Sequence, residues 1–323
     1  MRLVYQQPST DREKITPESL DRSRLIPSLG RVKGQTLLRV DLLDSYKSFF
    51  GLKKTPFSVC PDPQFFYFSR SHAEALNHIR YGIYEGLGFT MVIGEPGTGK
   101  TVLSRYFLSK AGEDLWIAHI TDPRLSQKEL LVALLESLGT SRFPEEQVTQ
   151  RKLNEQLEHL LFSARQEAKK VVFVLDEAQG LDFDCLEGLR LLSNLEAEGH
   201  KLIQIVLFGQ PELEEKLRRK NLRQLDQRIL VRYRLLPMEP DEIKPYIRHQ
   251  LEVAEVDSQV EFTALAVNKI CEITKGLPRM VNVLCERGMM SAFTCNTRRI
   301  DVGNVLEGWE SLQGIEILEK KSL

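Results

Sequence analysis

An α/β fold with a parallel sheet, followed by a smaller all-helical domain, is what this chain of 323 residues predicts. Three observations carry that expectation. Apolar runs of strand length alternate with helical patterns between residues 71 and 235. A glycine-rich octapeptide, GEPGTGKT, joins the first such run to the helix after it. Beyond Pro237 strand signals stop and helical patterns alone continue. Strand–helix–strand connections give parallel sheets covered on both faces, so their strands read as unbroken apolar runs.

Residues 1–44 carry mixed charge and little apolar periodicity, as expected of a flexible leader that orders on a partner. From Tyr46 the text turns aromatic, YKSFFGLKKTPFSVCPDPQFFYFS, punctuated by Pro56, Pro61 and Pro63, and reads as an irregular strap packed on something apolar. Ser71 and Glu74 then form a capping box, opening a helix to about residue 86 with Ala73, Leu76, Ile79 and Ile83 at helical spacing. Strands are expected over 89–93, 115–121, 171–175, 202–208 and 230–235, with helices over 100–110, 127–138, 148–169 and 185–198 between them. The helical part should hold segments 241–253, 262–275 and 278–293 and a short one over 302–312. Three regions follow: a leader over 1–44, a nucleotide-binding α/β domain over 45–237 and a helical domain over 238–323.

Composition excludes some classes of protein. With 42% hydrophobic and 28% charged residues and a formal net charge of -1, no global charge excess argues for nucleic acid or an anionic membrane. The apolar runs fall far short of the roughly 18 residues a membrane helix needs, and the N-terminus lacks the apolar centre of a signal peptide. A cytoplasmic protein is expected. Its five cysteines, Cys60, Cys185, Cys271, Cys285 and Cys295, form no C-x-x-C pair and read as buried thiols of a reducing compartment.

The octapeptide matches the P-loop pattern G-x-x-x-x-G-K-[ST] at every fixed position. Gly94, Glu95, Pro96, Gly97, Thr98 and Gly99 would form a nest of amide hydrogens around phosphate oxygens, continued into the helix by Lys100, Thr101 and Val102. Lys100 would reach the β and γ phosphates and Thr101 would offer its hydroxyl to Mg²⁺. About 70 residues further on, the strand VVFVL ends in Asp176 and Glu177. In this Walker B arrangement Asp176 holds the metal and Glu177 polarises the attacking water, unless Asp176 merely caps the next helix. Consecutive acids favour an ATPase over a small GTPase. The following strand ends at Gln210, with Gln204 the weaker choice; Gln210 is either a sensor of the γ phosphate or a turn residue beside a proline.

Between Lys216 and Arg234 stand eight basic residues against the single acid Asp226. Three readings compete: a nucleic-acid surface, a solvated face, and an arginine finger for a neighbour's ATP, for which Arg228 is the choice. The fourth motif, GLPR, sets Arg279 at a helix start, where its charge opposes the dipole; contact with phosphate competes with an ordinary surface position.

Together these motifs resemble the AAA+ ATPases, and more narrowly the general secretion pathway protein A family. The similar text is YKSFFGLKKTPFSVCPDPQFFYFSRSHAEAL, YGIYEGLGFTMVIGEPGTGKT, VVFVLDEAQ, FGQPEL, LRQLDQRI and GLPRMVN, in order over about 44–312. The resemblance implies a five-stranded core with a helical lid, ATP and Mg²⁺ between them, and a ring or similar homo-oligomer in which Arg228 serves the adjacent subunit. It also implies that Arg279 is the lid's sensor and that the segment around Pro56 and Phe57 lies near adenine. Gln210 stands where AAA+ proteins more often carry Asn or Thr. Longer family members continue into a membrane span and a periplasmic domain; this chain resembles a short cytoplasmic branch, reaching the inner membrane only through a partner. The leading expectation is an assembly or remodelling factor for a bacterial cell-envelope machine. A DNA-associated regulator of the transposition type and a nucleotide-dependent switch or scaffold are the competing ones.

Overall fold

The computed structural model describes residues 39–59, 62–121, 124–140, 149–255 and 260–320. The leader up to residue 38, Cys60, Pro61 and Val148 lie outside them. The chain divides into two units, Met1–Ser45 and Tyr46–Leu323. Helix α1, Arg39–Phe50, begins within the stretch expected to be unstructured.

In the second unit, α2 (Arg70–Tyr84), β1 (Phe89–Gly94), α3 (Lys100–Ser109), β2 (Leu115–Ile120), α4 (Gln127–Ser137), α5 (Gln150–Gln166) and β3 (Lys170–Leu175) follow the expected alternation. The chain continues through α6 (Phe183–Leu192), a hairpin of β4 (Glu196–Ala197) and β5 (His200–Lys201), then β6 (Ile203–Gly209), α7 (Pro211–Leu217), α8 (Arg223–Asp226) and β7 (Ile229–Leu235). Five strands form one parallel sheet in the order β2-β3-β6-β1-β7. Met91, Phe173 and Leu207 face one apolar core with α4, α5 and α6, whereas Val92, Val174 and Phe208 face a second with α2 and α3. Burial on both faces is why β1, β3 and β6 are apolar throughout. The edge strand β7 alternates instead between buried and exposed residues.

Two expectations are corrected. The cap of α2 is Ser69, whose Oγ accepts from the His72 N–H, and Ala75 rather than Ala73 is buried. Ser71 and Glu74 tie α2 to β7: Ser71 Oγ accepts the Leu236 N–H at 2.8 Å, and the Tyr233 hydroxyl donates to Glu74 at 2.9 Å. The helix expected over 185–198 stops at Leu192, because Glu198 and Gly199, with φ of 51° and 80°, turn the hairpin β4–β5. Positive φ at both central residues suits the right-handed twist of a hairpin.

After Pro237 come α9 (Pro240–Val253), β8 (Glu261–Phe262), α10 (Ala264–Thr274), α11 (Pro278–Thr294), β9 (Arg299–Ile300) and α12 (Val302–Lys320), the last longer than expected. Strand signals do not stop altogether, since β8 and β9 form a two-residue parallel pair. These helices enclose a third core that also takes in Tyr46, Phe50, Leu52 and Phe57 from the aromatic strap. Further along the strap, Phe66 and Phe68 pack on Tyr106 of α3. Burying the rings of Tyr46, Phe50 and Phe57 is worth about 2–3 kcal/mol each, so the strap is anchored chiefly to the helical core, while Phe68 stays exposed where it touches α3. Cys185 and Cys285 are buried as expected, but Cys295 is exposed.

Candidate active site at the P-loop

The end of β1, the start of α3, the strap and the helices after Pro237 border one cleft of about 560 Å³, a size typical of small-molecule sites. Gly97 and Gly99 adopt φ of 86° and 96°, the left-handed conformations that let the loop fold back around a concavity. Lys100, only 6% exposed, donates from Nζ to the carbonyls of Gly94 at 2.7 Å and Glu95 at 3.0 Å. Its pKa is lowered by desolvation, against the attraction of Glu177, Asp176 and Glu95.

A histidine that sequence reasoning passed over supports this loop. His72 is 4% exposed, with Nε2 3.1 Å from the Thr98 carbonyl and Nδ1 2.6 Å from Ser69 Oγ. A carbonyl only accepts, so Nε2 carries the proton and the Ser69 hydroxyl donates to Nδ1. Because C=O and N–H of one trans peptide point in opposite directions, fixing the Thr98 carbonyl also aims the Gly99 N–H. A Cβ on Gly99 would stand 2.7 Å from His72 Nε2, so glycine is required there on space as well as on φ. The spacing Ser69-x-x-His72 was the available signal.

Burial drives the His72 pKa from 6.5 down to about 4. Between those values the unfolded chain binds a proton that the native chain does not, so native stability falls as pH drops from 6.5 towards 4. This linkage is worth about 3 kcal/mol. Urea unfolding from pH 7 to pH 4 should show the wild type losing about that much more stability than His72→Gln; equal slopes would show that His72 titrates normally.

Asp176 directly follows β3 at 1% exposure, and its carboxylate accepts the Glu177 N–H at 3.0 Å. Burial pushes its pKa up, against hydrogen bonds from the Thr101 hydroxyl and the Glu177 amide. Asp176 does not cap the next helix, since Asp182 does. A buried carboxylate beside a hydroxyl is a hard-oxygen pair that suits Mg²⁺, so Thr101 and Asp176 would hold it. Glu177, at φ 50°, turns its side chain into the cleft. Gln210 stands at the N-cap of α7 without capping it and donates from Nε2 to Glu177 Oε2 at 3.2 Å. Gln204 is remote from this group, accepting the Gly88 N–H.

Across the cleft, the Arg279 N–H at the start of α11 donates to the Gly97 carbonyl at 3.2 Å. The turn before it depends on Gly276, whose φ is 76° and whose carbonyl accepts the Met238 N–H at 2.9 Å. A side chain on Gly276 would collide with the Met238 carbonyl. Pro56 lines the cleft, but Phe57 does not; its ring is turned into the helical core against Phe262. Asn282 donates to the Ser58 carbonyl and Gln250 to the Phe65 carbonyl, so amides of α11 and α9 hold the strap as one wall.

Arg228 does not line this cleft. Its guanidinium is bound at the C-terminal end of α6 to the Arg190 carbonyl, Ser193 Oγ and Asn194 Oδ1. The rest of the basic segment is largely committed too. Arg218 and Arg234 pair with Glu214, Arg232 pairs with Asp226, and Lys216 donates to two backbone carbonyls. Arg219, Lys220 and Arg223 are exposed.

A parallel sheet ordered in this way, with a P-loop, a paired-acid strand end and a helical lid touching the loop, defines an AAA+ P-loop nucleotide-binding protein. Residues 83–217 match the AAA domain family. Within that class the chain is general secretion pathway protein A-like: that protein of Aeromonas hydrophila is 40% identical over 272 residues, 84% of this chain. The match covers 49% of the Aeromonas protein, so the chain spans about half its length. An uncharacterised HTH-type transcriptional regulator of Methanocaldococcus jannaschii is 26% identical over 307 residues, 82% of this chain and 74% of that one. Among solved structures, the Aeropyrum pernix ORC1 protein in complex with DNA aligns with a TM-score of 0.58 at 17% identity, over 80% of this chain and 69% of that one. Likeness at that identity speaks for the fold alone. Among the described residues no helix is long and apolar enough to cross a membrane.

Proposed function

We propose that this chain hydrolyses ATP to ADP and phosphate, and that it does so as a homo-oligomer acting on a bacterial cell-envelope assembly from the cytoplasmic side. The observation that carries the chemistry is the convergence of Lys100, Thr101 and Glu177 on one cleft, with Asp176 bonded to Thr101 behind them. In this reading the P-loop amides and Lys100 bind the phosphates, Glu177 polarises the attacking water, and Gln210 lies at the same carboxylate. A Mg²⁺ ion held by Thr101 and Asp176 would neutralise phosphate charge. Arg279 is positioned to report on phosphate because its own amide is bonded to the loop. For Arg228 to serve a neighbouring subunit, its guanidinium must first leave three acceptors at the end of α6.

The envelope role is supported by the similarity to general secretion pathway protein A. A DNA-associated role is less favoured, since five of the eight basic residues of the 216–234 segment are engaged within the chain as ion pairs or backbone anchors. Two measurements test the proposal. Phosphate release per chain should rise with protein concentration; a rate independent of concentration in a strictly monomeric sample would overturn the shared-site reading. Capture from native cells with a slowly hydrolysed ATP analogue should bring down inner-membrane secretion, pilus or export components. Recovery of DNA with a transposase would replace the envelope reading.

A further inference from the structure

We propose that Gln179 is a positioning residue for hydrolysis: through its side-chain amide it holds the Glu177 carboxylate in register with the end of β6, leaving Oε1 of Glu177 to polarise water. The inference rests on the reading of Glu177 as the water-polarising group. Gln179 sits in the single 3-10 turn Ala178–Gly180 that follows Glu177. Its Nε2 donates to Glu177 Oε2 at 2.5 Å, and its Oε1 accepts the Gln210 backbone N–H at 3.0 Å. A backbone N–H only donates, so the oxygen of the Gln179 amide must face it and the NH₂ must face Glu177. Gln210 Nε2 donates to that same Oε2 at 3.2 Å. Two amides therefore converge on one carboxylate oxygen, and one of them also grips the backbone of the other's residue.

The turn that carries Gln179 is itself pinned. Lys216 Nζ, on α7, donates to the carbonyls of Gln179 at 2.5 Å and Leu181 at 2.7 Å. Gln210 and α7 thus hold the turn after β3 through three groups: the Gln210 backbone N–H, the Gln210 side chain and Lys216. Glu177 needs such support because its own backbone lies in the left-handed region, where no helix or strand fixes its direction. A water-polarising group must be held to within about 0.5 Å of its productive place to be effective.

The test uses the full chain with Gln179→Leu, Gln210→Leu and the double variant, reading ATP affinity, kcat, KM and Tm. Gln179→Leu should lower kcat about tenfold while leaving ATP affinity and Tm close to wild type, as for an interaction needed only in the transition state. Gln210→Leu should act alike, and the double variant should lose clearly less than the product of the two single losses, because both amides serve one oxygen. Unchanged or raised kcat in Gln179→Leu, strictly multiplicative losses, or a fall in Tm and affinity that accounts for the lost rate would each overturn the proposal. Glu177→Gln in the same assays separates the two levels of inference. If it keeps wild-type turnover, the underlying reading of Glu177 fails; if it is inactive while Gln179→Leu is normal, only the role of Gln179 fails.

Discussion

Lys100→Ala is expected to weaken ATP binding about a hundredfold and to remove measurable hydrolysis. The Lys100 ammonium is nearly buried and is satisfied by two carbonyls of the loop it belongs to. That arrangement holds a charge in a desolvated position, as the lowered pKa reflects, and phosphate oxygens would meet it with charge-assisted hydrogen bonds of about twice ordinary strength. On the proposed role of Lys100, alanine would remove those bonds in the ground state and again in the transition state, where charge on the γ phosphoryl is redistributed. Titration with a fluorescent ATP analogue and a phosphate-release assay read the two effects. Fold should survive, because the Gly94 carbonyl lies at the end of a fully paired central strand and Glu95 is exposed. Wild-type affinity in a variant of unchanged Tm would show that the amides alone bind phosphate.

Much of this site was legible in the sequence because its signals are local. Gly97, Gly99, Lys100 and Thr101 act through one turn of backbone, and Asp176 and Glu177 through the end of one strand, so spacing alone locates them. Both faces of β1, β3 and β6 are buried, and their apolar runs announced it. Residues whose partners lie far away in sequence were not legible. Ser71 and Glu74 have the spacing of a capping box, yet their partners are Tyr233 and Leu236 at the far end of β7. Gln179 bonds Glu177 two positions before it, but the group that orients its amide, the Gln210 N–H, is 31 positions away and leaves no local signal. Arg228 and Lys216 read as members of one basic cluster, and only the fold reveals that Arg228 is held by the Arg190 carbonyl and the side chains of Ser193 and Asn194, and Lys216 by the carbonyls of Gln179 and Leu181. The hairpin after α6 was masked by good helix formers, whereas its Glu198-Gly199 pair was the available sign.

The lid contact bears on the second large effect. Arg279 donates from its amide to Gly97, and His72 to Thr98, so successive carbonyls of the P-loop are held from the helical lid and from α2. Neither contact involves Glu177, whose carboxylate is held by Gln179 and Gln210. The carbonyls of the P-loop and the carboxylate of Glu177 are therefore held by separate sets of hydrogen bonds, and on the proposed roles a substitution at Glu177 should divide nucleotide binding from hydrolysis. Glu177→Gln is expected to leave ATP affinity within about threefold of wild type and to lower kcat by about two to three orders of magnitude, the usual worth of a general base. The change is nearly isosteric, and the new amide oxygen can still accept from Gln179, so neither Tm nor the cleft should alter. Single-turnover phosphate release with prebound ATP reads the chemical step directly, and nucleotide titration of the same sample reads binding. Loss of both together would make Glu177 part of the binding site. Retention of both would pass its assigned role to another acceptor of the water proton within the cleft.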